Sequence, residues 1–176
     1  MSIAKSLLDE FEIQAPVTRK FLERLPEDKL TWKPHEKSMS AGQLAFHLAD
    51  VPGGVVRFSQ NNTADAPKFA SFPQPASRDE VLKTFDQSIA VVRGALCDCS
   101  DDRMNETFRL VADGREVMAM PRGLFLRNVM LNHWYQHRGQ FSVYLRMLGV
   151  PVPASWGPSA DEMPAFAQQQ RGQSAA

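Results

Sequence analysis

Two histidines, His133 and His137, stand four positions apart in the stretch LNHWYQHRGQF, one turn apart if that stretch is helical. Side chains at this spacing stack on one helix face with Cβ atoms ~6 Å apart, so both imidazoles can reach one metal ion. Zinc takes an imidazole nitrogen at about 2.0–2.1 Å, a reach such a pair supplies. Two ligands alone hold a metal weakly. His47 offers a third, because it sits on the apolar stripe of another helical segment. The spacing leaves two readings open. One is a shared metal centre; the other is a set of core histidines, each satisfied by a hydrogen bond, since burying an unpaired polar ring is costly. His35 lies in the connector Pro34–Ser38, has no helical partner and is expected in solvent.

The residues around the pair narrow the chemistry. HWYQH lacks the glutamate that follows the first histidine in H-E-x-x-H zinc peptidases, so the general base of that class is missing. There is no G-x-S-x-G elbow, phosphate loop or dinucleotide glycine fingerprint. Gln140 and Tyr144 continue the His133–His137 face at steps of three and four, as groups that orient ligands or meet a substrate, or simply as core residues. Asp50, one turn beyond His47, is a candidate acceptor for an imidazole N–H or an exposed carboxylate. Trp32 and Trp156 are candidate pocket walls or satellite-core residues.

These side chains need helices to position them. Ile3, Leu7, Phe11 and Ala15 recur every four residues, and Phe21, Leu22 and Leu25 extend the apolar side. Pro16 falls inside this pattern and is expected to kink or split the helix. Ser40 and Gln43 form a capping box opening a second helix with the stripe Ala41, Leu44, Leu48, Val51, Val55 and Phe58. Pro52-Gly-Gly is expected to weaken or bend it. His47 lies seven residues in, roughly 10 Å from the helix start, so the site belongs near one end, within reach of the 32–40 connector and the 151–162 segment.

A turn-rich linker is expected over residues 61–76, and a third helix follows from the capping pair Ser77 and Glu80, with the stripe Val81, Phe85, Ile89, Val92 and Leu96. Asp113-Gly114 between short β-capable flanks predicts a hairpin over residues 106–120. A fourth helix is expected from Pro121 to about Leu148, where Gly149 and Pro151 supply a stop. It would be roughly 40 Å long. Its apolar residues, Leu124, Val129, Trp134, Phe141, Val143 and Leu148 among them, cannot share one stripe. The helix is therefore expected either at the centre of the fold or in the interface of a homodimer.

The 176 residues are most simply one domain over 1–167, with a compositionally unstructured tail over 168–176. Twenty basic residues balance twenty acidic ones, which argues against a nucleic-acid or anionic-membrane partner. The first residues are too charged for a signal peptide and no segment is apolar enough to span a bilayer, so a cytoplasmic protein is expected. Cys97 and Cys99 are too close for a structural disulfide and are expected as reduced thiols.

Three stretches, KPHEKSMSAGQLAFHLAD (33–50), LNHWYQHRGQFSVYLRMLGVPVP (131–153) and WGPSADE (156–162), resemble in order the diagnostic segments of the DinB-like family of bacterial stress-associated proteins. This is the bundle family, not the DNA polymerase of the same name. His-x3-His-Arg-Gly-Gln is its most specific element. The resemblance implies an all-α four-helix bundle with up-down-down-up connections, commonly dimeric, here with the short β-hairpin as an insertion before the last helix. It also implies a metal site at His47, His133 and His137. Imidazole ligands suit Zn2+, Ni2+ or Fe2+. Relatives include thiol S-transferases, a thiol-dependent maleylpyruvate isomerase and the bundle domain of sulfoxide synthases that form ergothioneine. The implied function is a metal-dependent enzyme that activates a low-molecular-weight thiol, or water, toward a small electrophilic substrate. The alternative is a non-catalytic, divalent-metal-binding stress-associated protein.

Overall fold

Serine caps open the three long helices that begin the chain. Ser2 accepts the Lys5 N–H, Ser40 the Gln43 N–H and Ser77 the Glu80 N–H, each satisfying a donor that the first helical turn leaves without an acceptor. At Ser40 the box closes both ways, with the Gln43 side chain accepting the Ser40 N–H at 2.9 Å. In the computed structural model, which describes residues 2–67 and 72–164, these caps start α1 (Ile3–Glu23), α2 (Ala41–Phe58) and α3 (Arg78–Leu96). The expected tail from residue 168 lies outside the described residues. A short α4 (Asp101–Asn105) leads into the β-segment, and a last helical run follows it: α5 (Arg122–Phe125), a π-helical segment (Leu126–Asn132) and α6 (His133–Met147).

Contacts between helix ends give the direction of each helix. The start of α1 meets α4, where Asp101 accepts the Ile3 N–H at 2.7 Å. Its far end meets the start of α3, where Arg78 donates to the Glu23 carbonyl at 3.4 Å. α2 begins at that same end, its Gly42 packed against Gln74 and Pro75 just before α3. Midway along, a Cβ on Gly53 would lie 2.8 Å from the Ser88 Cα, so only glycine allows this approach of α2 to α3. α6 runs back, and Tyr144 donates to the Met39 carbonyl at 3.2 Å. The order is up-down-down-up around one apolar cluster that includes Phe11, Leu22, Leu48, Phe85, Trp134 and Phe141. Phe11 stacks on Trp134 at 5.3 Å between ring centroids.

Both internal prolines sit in unbroken helices, where the pattern predicts a kink, split or weakening. Around Pro16 the buried stripe continues without interruption from Phe11 and Ala15 to Thr18 and Phe21, so packing on both sides outweighs the local cost of about 3 kcal/mol. Pro52 leaves the Leu48 carbonyl without its helical donor, and the Trp134 indole N–H supplies one at 2.8 Å. Next to it, the Gly53 N–H donates to Ser88 Oγ at 2.7 Å.

The hairpin forms as expected from β2 (Thr107–Ala112) and β3 (Arg115–Pro121), with Asp113 at φ 49° and Gly114 at φ 74°, a pair of left-handed residues that matches the twist of the strands. A further strand, β1 (Thr63–Asp65), falls in the expected linker and pairs parallel with β2 in the register Thr63↔Arg109. Three residues carry no readable period, and their partner is far along the chain.

The last helical run also departs from a single uniform helix. Among its buried residues, Arg122, Leu126, Met130, Trp134 and Arg138 form a row at steps of four. An α-helix of 3.6 residues per turn would rotate that row away from the core; the wider turn of the π-segment takes up the drift. Leu124, Val143 and Met147 point outward and stay about half exposed. Cys97 and Cys99 are free thiols. No helix among the described residues is long and apolar enough to cross a membrane.

Candidate metal centre

α2 carries His47 on its inner side, and His133 opens α6 with His137 one turn further on. The structure brings all three together. His47 Nε2 and His133 Nε2 are 3.2 Å apart, and the His137 ring lies 4.7 Å from that of His47 and 4.4 Å from that of His133. One ligand nitrogen from each lies within 4.8 Å of the others. Nitrogens bound tetrahedrally to zinc are ~3.3 Å apart, from bond lengths of about 2.05 Å. The Nε2 pair already stands near that spacing, and the third imidazole offers a nitrogen within 4.8 Å of both. The donor set fits a divalent ion.

Burial sets the charge state of the cluster. His47 falls from the usual 6.5 to about 4, chiefly because burial disfavours the cation and then because His137 and His133 would repel it. Burial also lowers His133, with His137 as a secondary cause, and it lowers His137 against a hydrogen bond donated to Gln140 that acts the other way. All three rings are therefore neutral at pH 7 and present lone pairs. The carbonyl oxygen of Gln140 lies 2.9 Å from His137 Nδ1. An oxygen there can only accept, so Nδ1 carries the proton and Nε2 keeps the lone pair.

The helices are locked in register one residue beyond two of the histidines. Leu48 follows His47, Trp134 follows His133, and the indole-to-carbonyl bond joins them. A ring that the sequence pattern did not identify closes another side: Phe72 meets His47 edge to face at 5.4 Å. Its carbonyl is held by the Gln43 side chain at 3.0 Å. Phe72 sits in the turn-rich linker, where no periodicity marks a residue as inward.

The other sequence candidates divide. Gln140 reaches the cluster. Tyr144 is buried and bonds the Met39 carbonyl, while Trp32 packs edge to face on Tyr144 at 5.7 Å; together they pin the connector to α6 rather than touch an imidazole. Asp50 does not accept from His47. It pairs with Arg57 at 2.8 Å on the half-exposed side of α2, where a guanidinium is a stronger partner than a neutral ring. Trp156 does not wall the histidines either. It is 65% exposed and donates to Gln14 at 2.8 Å, and the cavity of about 680 Å³ that it lines with residues 154–164 contains no histidine. Asp161 and Glu162 hold that segment outside the core through Arg146 and Arg24. His35 is exposed as expected, accepting the Lys37 N–H at 3.2 Å.

Four long helical runs in this order, with three neutral imidazoles converging between α2 and α6, define a helical protein with a candidate metal centre. The chain belongs to the DinB family, whose sequence model matches residues 1–171. It is 26% identical over 160 residues to the uncharacterized protein YrdA of Bacillus subtilis strain 168, covering 90% of this chain and 91% of that one. Among solved structures it is similar to a DinB-like protein of Bacillus cereus ATCC 10987, with a TM-score of 0.67, 22% identity, and coverage of 86% of this chain and 96% of the other. The DinB-like protein YjoA of Bacillus subtilis gives a TM-score of 0.63 at 18% identity, covering 85% and 96%. At these identities the two structures establish the likeness of fold.

Proposed function

We propose that His47, His133 and His137 hold one divalent ion, Zn2+, Ni2+ or Fe2+, in a metal-dependent enzyme that activates a low-molecular-weight thiol, or water, toward a small electrophile. The observation that carries this reading is the 3.2 Å spacing of two Nε2 atoms in a neutral cluster with the third imidazole beside them. When bound, such an ion supplies Lewis acidity that makes a water or a thiol beside it available in deprotonated form near neutral pH. The histidines contribute no charge, so the ion keeps its own. Gln140 fixes the proton of His137 on Nδ1 and leaves the lone pair on Nε2. Phe72 packs edge to face on His47 and covers that side of the cluster. A thiol fits the absence of a nucleophile motif in the chain, and a reduced cytoplasmic setting suits both the substrate and the free cysteines.

Purified protein is expected to carry about one divalent ion per chain by elemental analysis. His133→Ala or His137→Ala abolishes retention, whereas His35→Ala leaves it unchanged. Full retention in the His47→Ala, His137→Ala double variant would overturn the ligand assignment. Metal-loaded protein then accelerates conjugation of a cellular thiol to a model electrophile, and the His137→Ala protein does not. Ion retention without turnover across a panel of thiols and electrophiles, and without hydrolysis, assigns the protein instead to non-catalytic metal binding. That second reading draws on Gln140, whose bond to His137 would serve ion retention equally well without turnover.

A further inference from the structure

At the opposite end of α2 from the histidines, a cavity of about 210 Å³ lies where α2, α3, α4 and α5 converge. Val56, on its wall, is nine residues beyond His47, ~13 Å along the helix axis, so this is a separate place in the fold. The inner wall is apolar, formed by Val56, Leu96, Met104 and Leu126, all buried. Arg103 and Arg122 supply its charge.

These two guanidiniums share a single carboxylate. Glu106 pairs with Arg103 and stands 3.7 Å from Arg122. The remaining partners are neutral acceptors: the Gln60 carbonyl and Asn62 side chain for Arg103, and the Asn61 carbonyl and Asn62 side chain for Arg122. Asp101, two residues before Arg103, accepts the Ile3 N–H at the start of α1. The two guanidiniums of the wall are thus ion-paired to one carboxylate between them. Arg122 is 3% exposed and its Nε–H has no acceptor among the described residues, an unusual state for a buried guanidinium. Burial, and then the like charge of Arg103, push Arg122 below its ordinary range. A clamp on the turn after α2 would explain the carbonyl contacts. It would explain neither the Nε–H without an acceptor nor the apolar hollow beside it.

We propose that this cavity binds a small organic monocarboxylate, with its carboxylate on the Arg103–Arg122 pair and its hydrocarbon part against Val56, Leu96, Met104 and Leu126. The volume corresponds to about seven water molecules, which suits an acid of about six or seven non-hydrogen atoms. Guanidinium forks match a carboxylate in geometry as well as charge. The site is independent of the metal centre.

Cys99 lines the same cavity and provides the readout. In full-length Cys97→Ser protein, alkylation of Cys99 by neutral iodoacetamide is followed against butyrate, its neutral isostere butyramide, and inorganic phosphate. Butyrate is expected to slow alkylation saturably, half-maximally at about 1–10 mM, as befits so few ligand atoms. Arg103→Gln raises that concentration by about tenfold, the loss of a charge-assisted contact. Ala95→Phe, which fills the cavity while keeping both arginines, abolishes protection; His137→Ala leaves it intact and so separates this site from the metal centre. Circular dichroism confirms that each variant is folded, and the cavity-filling variant decides the matter if Arg103→Gln does not fold. Absence of butyrate protection, equal protection by butyramide, or protection unchanged in the folded variants at positions 103 and 95 overturns the proposal. Phosphate as effective as butyrate overturns the carboxylate assignment, because the apolar wall would then contribute nothing. Loss of protection in His137→Ala would place the anion at the histidines instead.

Discussion

The indole N–H of Trp134 donates to the carbonyl of Leu48 at 2.8 Å, tying α6 to α2 one residue beyond His133 and one beyond His47. The bond exists because Pro52, four residues after Leu48, has no N–H to give. A proline that looks disruptive in sequence thus frees the acceptor that sets the spacing of two imidazoles. Trp134→Phe keeps the ring packing but leaves a buried carbonyl without a donor, and is expected to cost about 1–3 kcal/mol. Pro52→Ala restores a backbone donor at position 52 and recovers part of that loss. Urea unfolding of the two single variants and the double variant measures the coupling; strictly additive effects would show that the two residues do not share this carbonyl.

Gln140 is exposed and contributes little to the core, yet it holds the His137 tautomer. Gln140→Ala should weaken metal affinity by about 10–100-fold in a chelator competition while leaving the melting temperature of the metal-free protein nearly unchanged. Gln140→Glu, which keeps an acceptor at the same reach, should retain tight binding. Equal affinity in all three proteins would remove Gln140 from the site.

Acid should destabilise the metal-free protein through the same cluster. The His47 pKa falls from 6.5 to about 4 on folding, so the folded state favours the neutral ring. The stability that this ring contributes is complete above about pH 6.5 and is lost as the pH falls toward about 4, where the unfolded chain binds the extra proton. His133 and His137 shift in the same direction. Melting temperature measured across this range should drop less steeply in His47→Leu than in the parent. An unchanged slope would place the acid sensitivity elsewhere.

Leu124, Val143 and Met147 leave an apolar surface on the last helical run. We propose a homodimer that covers it, with the same face used by both subunits. Light scattering should give twice the chain mass at micromolar concentration, and Val143→Glu should give the monomer with little change in melting temperature, since the side chain is 56% exposed. A monomeric parent protein would assign this surface no such role.

Sequence alone determined whatever depends on neighbours along the chain. Ser40 and Ser77 cap helices because a hydroxyl three residues before a free N–H needs no tertiary partner. Asp113 and Gly114 turn the hairpin because they tolerate positive φ. His133 and His137 share a face because four residues make a turn, and the family motif pointed to His47 as the third member. The tertiary structure decided everything that needed a distant partner. Pro52 is tolerated because Trp134 answers the carbonyl it frees, and Pro16 because its helix is buried before and after it. Residues 63–65 become a strand only beside β2, and Phe72 covers His47 from a linker without periodicity. Asp50 turned to Arg57 and Trp156 to Gln14, although their positions in sequence suited the histidines equally well. Local bonding fixes which way a helix begins. Only packing fixes which carbonyl, ring or cation stands across from a side chain, and the candidate metal centre is built from such pairings.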